Sequence, residues 1–377
     1  MKFLFFKLCI INFILFNSLN CSFQISLFNE INKNKKGENL IISPLSIFQI
    51  LSLTANGART DTQLEMIQTL QNEDIDALNS INYEILNIIK KYETVEIANA
   101  VMSRFTPLKN FLEIAKNYSA PHEILESVEQ VNNWCDEKTY GRIPKILDKL
   151  ESYVQMILLN AVYFKGEWRN KFLEMSTKEK PFYNLGKEEK LVDTMAQLTR
   201  FRYYEDNKIQ AVELPFEKDQ ISALIILPRE NVDINKYIMS LDEEKDTLYN
   251  IVDNLMTSKV ILELPKFELD FSSSLKEVLK DMGMEKAFSN YADFSGLRKE
   301  NNLQIDDVVH KTYLKVNENG CEAAGITEVI IRYGSAAPKA EKIYEMKVNR
   351  PFLFILRSQN LPEDYDILFI SKIEKLE

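Results

Sequence analysis

The side chains of this 377-residue chain best suited to nucleophilic or general-base chemistry are two histidines, His122 and His310, and the two cysteines beyond residue 21, Cys135 and Cys321. A thiol hydrolase would need one of these cysteines beside His310, because a neighbouring imidazole lowers the thiol pKa and accepts its proton. Nothing local joins them. The chain has no GxSxG elbow, no HExxH zinc helix, no phosphate-cradling P-loop and no GxGxxG turn. His310, in DDVVHK, reads as a hydrogen-bonded core histidine and Cys135 as a buried structural thiol. No metal-ligand set is legible and no cofactor is implied. These residues point away from an enzyme.

A different pattern stands out at residues 318–331, ENGCEAAGITEVII. With a period of two, Glu318, Gly320, Glu322, Ala324, Ile326 and Glu328 fall on one, water-tolerant face. Cys321, Ala323, Gly325, Thr327, Val329 and Ile331 fall on the other, small at first and then β-branched. That second face suits a strand entering a close-packed interior, where bulk would clash. No proline interrupts the run before Pro338, so every N–H from 318 to 337 can join a ladder. Gly and Ala bury little area and lose much entropy on ordering, so the stretch makes a poor permanent strand. The pattern alone does not choose between a surface loop, a permanent strand and a strand formed on demand.

The elements that would position these residues are readable around them. SFQISLFNEINK spaces its apolar residues along one helical face, and NLIISPLSIFQILSLTANG gives a short strand, a Ser43-Pro44 helix start and a buried helix. VNNWCDEKTYGRIPKIL reads as a helix closed by Gly141. VQMILLNAVYFKGEW is a nearly continuous apolar run, expected of a strand covered on both faces. Helices dominate the first half and strands the second, which predicts an α+β fold. With 45% hydrophobic residues, 10 Gly, 11 Pro and no linker or repeat, the chain reads as a single domain over 22–377. A net charge of -10 argues against a nucleic-acid partner. At the N-terminus, Lys2, an apolar run from Phe3 to Phe16 and small polar residues before Ser22 predict a secretory signal over 1–21 and an extracellular protein. A buried first helix or an uncleaved anchor are the alternatives. A run interrupted by Lys7 falls short of the ~20 residues needed to span a membrane, and no membrane partner is expected. Asn117, in NYS, is a glycosylation sequon whose meaning depends on export.

Seven segments, NLIISPLSI, LLNAVYFKGEW, VELPF, LPKFELD, MGMEKAFSNYADFSG, VVHKTYLKVNENGCEAAGIT and RPFLFIL, resemble signatures of the serpin family in that family's order and approximate spacing. The resemblance covers nearly all of the chain past residue 21. It implies helices packed around a large central mixed sheet, with two smaller sheets and an exposed reactive-centre loop at about 318–347. It also implies a monomeric inhibitor of a serine protease of elastase, chymotrypsin or trypsin type, prone to loop-sheet polymers when destabilised. The loop serves as bait and, once cut, inserts into the main sheet carrying the acylated protease. From Gly320 to Gly334 such a strand would span roughly 46 Å, comparable to the diameter of a protease whose radius of gyration is about 17 Å.

The resemblance makes residues 318–327 the hinge: Glu318, Gly320, Cys321, Glu322, Ala323, Ala324, Gly325 and Thr327. It pairs Glu318 with Lys266 beside Trp168 at the top of the sheet, and gathers Ser43, Ser46, Asn160 and His310 beneath the strands that part. By the family's spacing the bait bond joins Gly334 to Ser335, with Tyr333 and Arg332 as alternatives. Cys321 departs from the usual Thr or Ser, and Ile326 from a small residue. A non-inhibitory serpin, a carrier, chaperone or storage protein that never inserts its loop, is the competing reading. Its mark would be bulky, charged or proline residues on the inserting face, and none occurs before Val329.

Overall fold

The computed structural model describes residues 22–218, 220–243, 247–300, 303–321 and 341–377. The helices among them are α1 (Phe23–Lys33), α2 (Pro44–Gly57), α3 (Thr60–Thr69), α4 (Ile75–Ile89), α5 (Lys109–Asn117), α6 (Val128–Lys138), α7 (Ile234–Glu243), α8 (Thr247–Asp253) and α9 (Lys276–Asp281). The strands are β1 (Leu40–Ile42), β2 (Val95–Ser103), β3 (His122–Ile124), β4 (Met156–Phe164), β5 (Gly166–Glu167), β6 (Lys178–Asn184), β7 (Glu188–Glu205), β8 (Ile209–Pro215), β9 (Ile221–Pro228), β10 (Met256–Pro265), β11 (Phe267–Ser274), β12 (Val308–Asn317), β13 (Gly320–Cys321), β14 (Ile343–Lys347), β15 (Phe352–Ser358) and β16 (Ile367–Ile373). This is the α+β architecture expected.

One mixed sheet runs β3-β2-β4-β12-β13-β5, with β11 on the far side of β12. The other runs β1-β16-β15-β9-β8-β7-β10-β14, with β6 on β7. The two smaller sheets expected from the sequence share β7, which is long enough to pair β6 over residues 188–194, β10 over 194–203 and β8 over 202–205.

Local sequence explains the elements that frame the main sheet. Pro44 occupies the first turn of α2, where its missing N–H costs nothing, and every residue of that helix is buried. Asp74 caps α4 by accepting from the N–H groups of Asp76 and Ala77, and Ser127 caps α6 by accepting from that of Gln130. Gly141 stops the chain after α6 in the left-handed conformation, φ 79°. The apolar run of β4 is buried on both sides. Leu158, Val162 and Phe164 join the core that contains α2, while Ile157, Leu159 and Ala161 pack with Trp134 and Cys135 of α6. β4 and β12 are parallel neighbours, with Asn160 opposite His310. That seam is the feature on which the site is built.

Candidate functional site

Beneath the seam, one row of polar side chains crosses three strands. Asn99 of β2 lies opposite Asn160 of β4, which lies opposite His310 of β12. Asn160 Nδ2 donates to Asn99 Oδ1 at 2.7 Å, and Asn160 Oδ1 accepts from Ser46 Oγ at 2.7 Å. His310 Nε2 accepts from the backbone N–H of Ser43 at 3.1 Å, which leaves Nδ1 to carry the proton and donate to Asn160 Oδ1 at 3.2 Å. Thus the N-terminus of α2 is bonded to both strands of the seam. All five residues are buried. Burial depresses the His310 pKa to about 3, and the Ser43 N–H aimed at Nε2 leaves no room for a second proton.

At the top of the seam the strands part. Gly320 and Cys321, as β13, pair antiparallel with Asn317 and Val316 on one side and with Glu167 and Gly166 on the other. Gly320 has φ 151°, and a Cβ there would lie 2.0 Å from Gly166 O, so only glycine fits. Glu318 is 7% exposed. Its Oε1 accepts from Thr177 Oγ1 at 2.7 Å and lies 3.5 Å from Lys266 Nζ, which also meets Asp193 at 3.3 Å. Burial works against the Lys266 ammonium, but Glu318 and then Asp193 outweigh it and raise its pKa. Trp168 stacks on Phe216 with ring centroids 4.3 Å apart and donates its indole N–H to Asn317 O at 2.9 Å.

The two-residue period put Glu318 and Gly320 on a water-tolerant face, and the structure corrects this. The segment following β5 crosses over that face, with Phe172 N–H donating to Glu318 O and Thr177 donating to its carboxylate. Asn99, Thr177, Asp193 and Asn317 escaped the sequence reading, since each acts through a partner far away in the chain. Asn99 left one trace, an amide in the middle of a strand.

The thiol hydrolase reading fails on geometry. Cys135 lies on the α6 face of the main sheet and His310 bonds to α2 on the opposite face, while burial pushes the Cys135 thiol up to about 12. His122 donates or accepts at Ser103 Oγ, 2.8 Å away, and serves β3. Asn117 ends α5. Residues 322–340, which hold the rest of the expected hinge and the bait-bond candidates Arg332, Tyr333, Gly334 and Ser335, lie outside the described residues.

The family model described as Serpin (serine protease inhibitor) matches residues 18–376. The chain is a serpin. It is 32% identical to intracellular coagulation inhibitor 2 of Tachypleus tridentatus over 90% of this chain and 86% of that one. Leukocyte elastase inhibitor of Xenopus laevis is 33% identical over 89% of this chain and 93% of its own. Among solved structures, the thermophilic serpin tengpin in its native state superposes with a TM-score of 0.84 at 32% identity, covering 94% of this chain and 92% of tengpin. This serpin therefore belongs among protease inhibitors and not among enzymes.

The relatives overturn one expectation. The Tachypleus protein is by its name intracellular, so the expected extracellular location is withdrawn. A 14-residue apolar run carries no information beyond its hydrophobicity, and residues 1–21 lie outside the described residues. The Asn117 sequon had meaning only with export, and no glycan is assigned to it.

Glu318→Lys is expected to free the hinge. It sets two ammonium groups face to face, at a cost of about 1–2 kcal/mol after allowing for the one-third exposure of Lys266. Size-exclusion chromatography after mild heating should show polymers from the variant at temperatures where the parent stays monomeric. A variant that stays monomeric excludes a role for the pair in closing the sheet.

Proposed function

We propose that this serpin inhibits a serine protease by offering residues 318–347 as bait and, once cut, inserting the hinge between β4 and β12. The observation that carries this is β13: its two residues already form the first step of a strand running antiparallel to both neighbours. Continuing those two registers downward, each independently brings Thr327 to the same level, opposite His310 on one side and Asn160 on the other. Those two are themselves register partners across the seam. A strand growing from β13 therefore replaces one parallel pairing with two antiparallel ones, which are slightly more stable per residue.

In this reading Glu318, Lys266 and Trp168 hold the top of the seam, and Ser43, Ser46, Asn160 and His310, joined by Asn99, hold its middle. Gly320, Cys321, Ala323, Gly325 and Thr327 enter the sheet, while Glu322 and Ala324 face outward. The bait bond is Gly334–Ser335, which suits an elastase-type protease, as do the relatives named leukocyte elastase inhibitors. Tyr333 and Arg332 would instead suit chymotrypsin-like and trypsin-like targets.

The test is incubation with one protease of each type, followed by denaturing electrophoresis and mass spectrometry of the released C-terminal peptide. An SDS-stable complex and a peptide beginning at Ser335 are expected with the elastase-type enzyme. Cleavage by all three without a complex would return the chain to the non-inhibitory reading.

A further inference from the structure

Asparagine precedes glycine twice in the chain, at Asn56–Gly57 and at Asn319–Gly320. Such a pair is chemically labile, because a glycine without a side chain lets its backbone nitrogen swing onto the asparagine amide carbon. The fold treats the two pairs oppositely. Asn56, in the last turn of α2, is 7% exposed. Its amide donates to Ser52 O at 3.0 Å and exchanges two bonds with the Asn79 amide, both at 2.9 Å. Neither that amide nor the helical backbone is free to turn.

Asn319 lies in the turn between β12 and β13 and is half-buried, and among the described residues its side-chain amide makes no hydrogen bond. Only the backbone is restrained. The N–H groups of Asn319 and Gly320 both donate to Asn317 Oδ1, at 2.9 and 3.3 Å, and the Asn319 carbonyl accepts from the Trp168 N–H at 2.9 Å. The bond on the Gly320 nitrogen is the longest of the three and lies just beyond the usual range. The nucleophile is therefore the least firmly held atom of the turn.

We infer that Asn319–Gly320 is a self-modification site: in the folded chain Asn319 converts to isoaspartate, and the conversion unseats β13 and so retires the inhibitor. The Gly320 nitrogen attacks Asn319 Cγ. The N–Cγ bond forms, the Cγ–Nδ2 bond breaks, and Nδ2 departs as ammonia with the proton lost by Gly320. Water then opens the cyclic imide. Opening at the former backbone carbonyl leaves the chain running through Cγ, which is isoaspartate, and opening at Cγ gives aspartate. Ammonia leaves, water enters, and nothing is oxidised or reduced. The damage follows from how closely β13 is fitted. Isoaspartate adds one main-chain atom just before Gly320, the residue whose added Cβ would come within 2.0 Å of Gly166 O, so no slack exists to absorb it. The registers with Asn317 and Val316 and with Glu167 and Gly166 are lost together. A new carboxylate also appears beside Glu318, whose own charge is already engaged by Lys266 and Thr177. Conversion and the release of β13 stand on this geometry, whereas retirement of inhibition rests on the insertion reading above.

In the test, the intact chain is aged at neutral and at mildly alkaline pH and mapped by mass spectrometry, with isoaspartate marked by its specific methyltransferase. Conversion at Asn319, faster at the higher pH, and none at Asn56 is the expected result, whereas in guanidinium chloride both should convert. An Asn319 that converts only in guanidinium chloride overturns the site. Cys321, fully buried in β13, should react with iodoacetamide in the converted chain and not in the fresh one. A thiol that stays shielded after conversion overturns the unseating. With the protease, covalent complex should fall in proportion to the converted fraction. Asn319→Gln keeps the amide but cyclises far more slowly through its longer side chain, so it should hold its yield over the same time. An aged parent with undiminished complex, or an Asn319→Gln chain that decays as fast, overturns the retirement. If the fresh chain forms no complex at all, it is the inhibitory reading that fails, and the mapping and the thiol reaction, which need no protease, still decide the site.

Discussion

A chain nicked between residues 332 and 335 should melt roughly 10–15 °C above the intact one. An inserted strand adds two ladders to the main sheet and removes one, a net gain on the order of ten hydrogen bonds at ~1 kcal/mol each. A domain of this length unfolds with about 0.7 kcal/mol per kelvin of entropy, so ~10 kcal/mol converts to that shift. Ordinary proteolysis does the reverse, because a cut loop gains chain entropy in the unfolded state. Calorimetry on the intact and nicked chain, with the cut placed by mass spectrometry, makes the comparison. An Ala323→Arg chain serves as the control, since a guanidinium on the inserting face has to be buried without a partner. It should be nicked equally fast and gain no melting temperature. A nicked parent that melts no higher than the intact protein removes insertion from the account.

The sequence carried the parts of this molecule that depend on local chemistry. The Ser43-Pro44 start and apolar length of α2, the uninterrupted run of β4 and the left-handed stop at Gly141 each follow from neighbours within a few residues, and each formed where expected. The site was legible only where a family pattern linked distant segments. Nothing near Thr177 announces that its hydroxyl caps Glu318, 141 residues away, and nothing near Asn99 announces its bond to Asn160. Alternation within 318–331 could not report the segment that covers Glu318 and Gly320, so these two were placed in water. A period of two reports which residues share a face and says nothing about what lies above it.

Replacing Asn160 by alanine should be the most damaging single change within the seam. It removes one side chain that is 2% exposed and strands two others, His310 Nδ1 and Asn99 Oδ1, both buried and bonded to it, while Ser46 Oγ keeps the Ser43 carbonyl at 2.9 Å. An abandoned buried polar group costs about 1–3 kcal/mol, so the total for two is roughly 2–4 kcal/mol once partial repacking is allowed. The loss falls on contacts that must break when a strand enters, so the variant should also polymerise on heating below the parent's threshold. Acid should act through the same row. His310 is held neutral with a pKa of about 3, against an ordinary 6.5 when unfolded. Below pH 6.5 the unfolded chain binds a proton that the native one refuses, so stability is intact above that pH. It then falls by about 1.4 kcal/mol per unit as pH drops toward 3. His122, whose pKa burial also lowers, and the carboxylates titrate in the same window, so the decisive quantity is a difference. Stabilities from denaturant melts at pH 7.5 and 5.0 should differ less in His310→Gln, which has nothing to titrate there, by about 2 kcal/mol. Parallel pH slopes for the two proteins would mean that the imidazole is not what fastens β4 to β12.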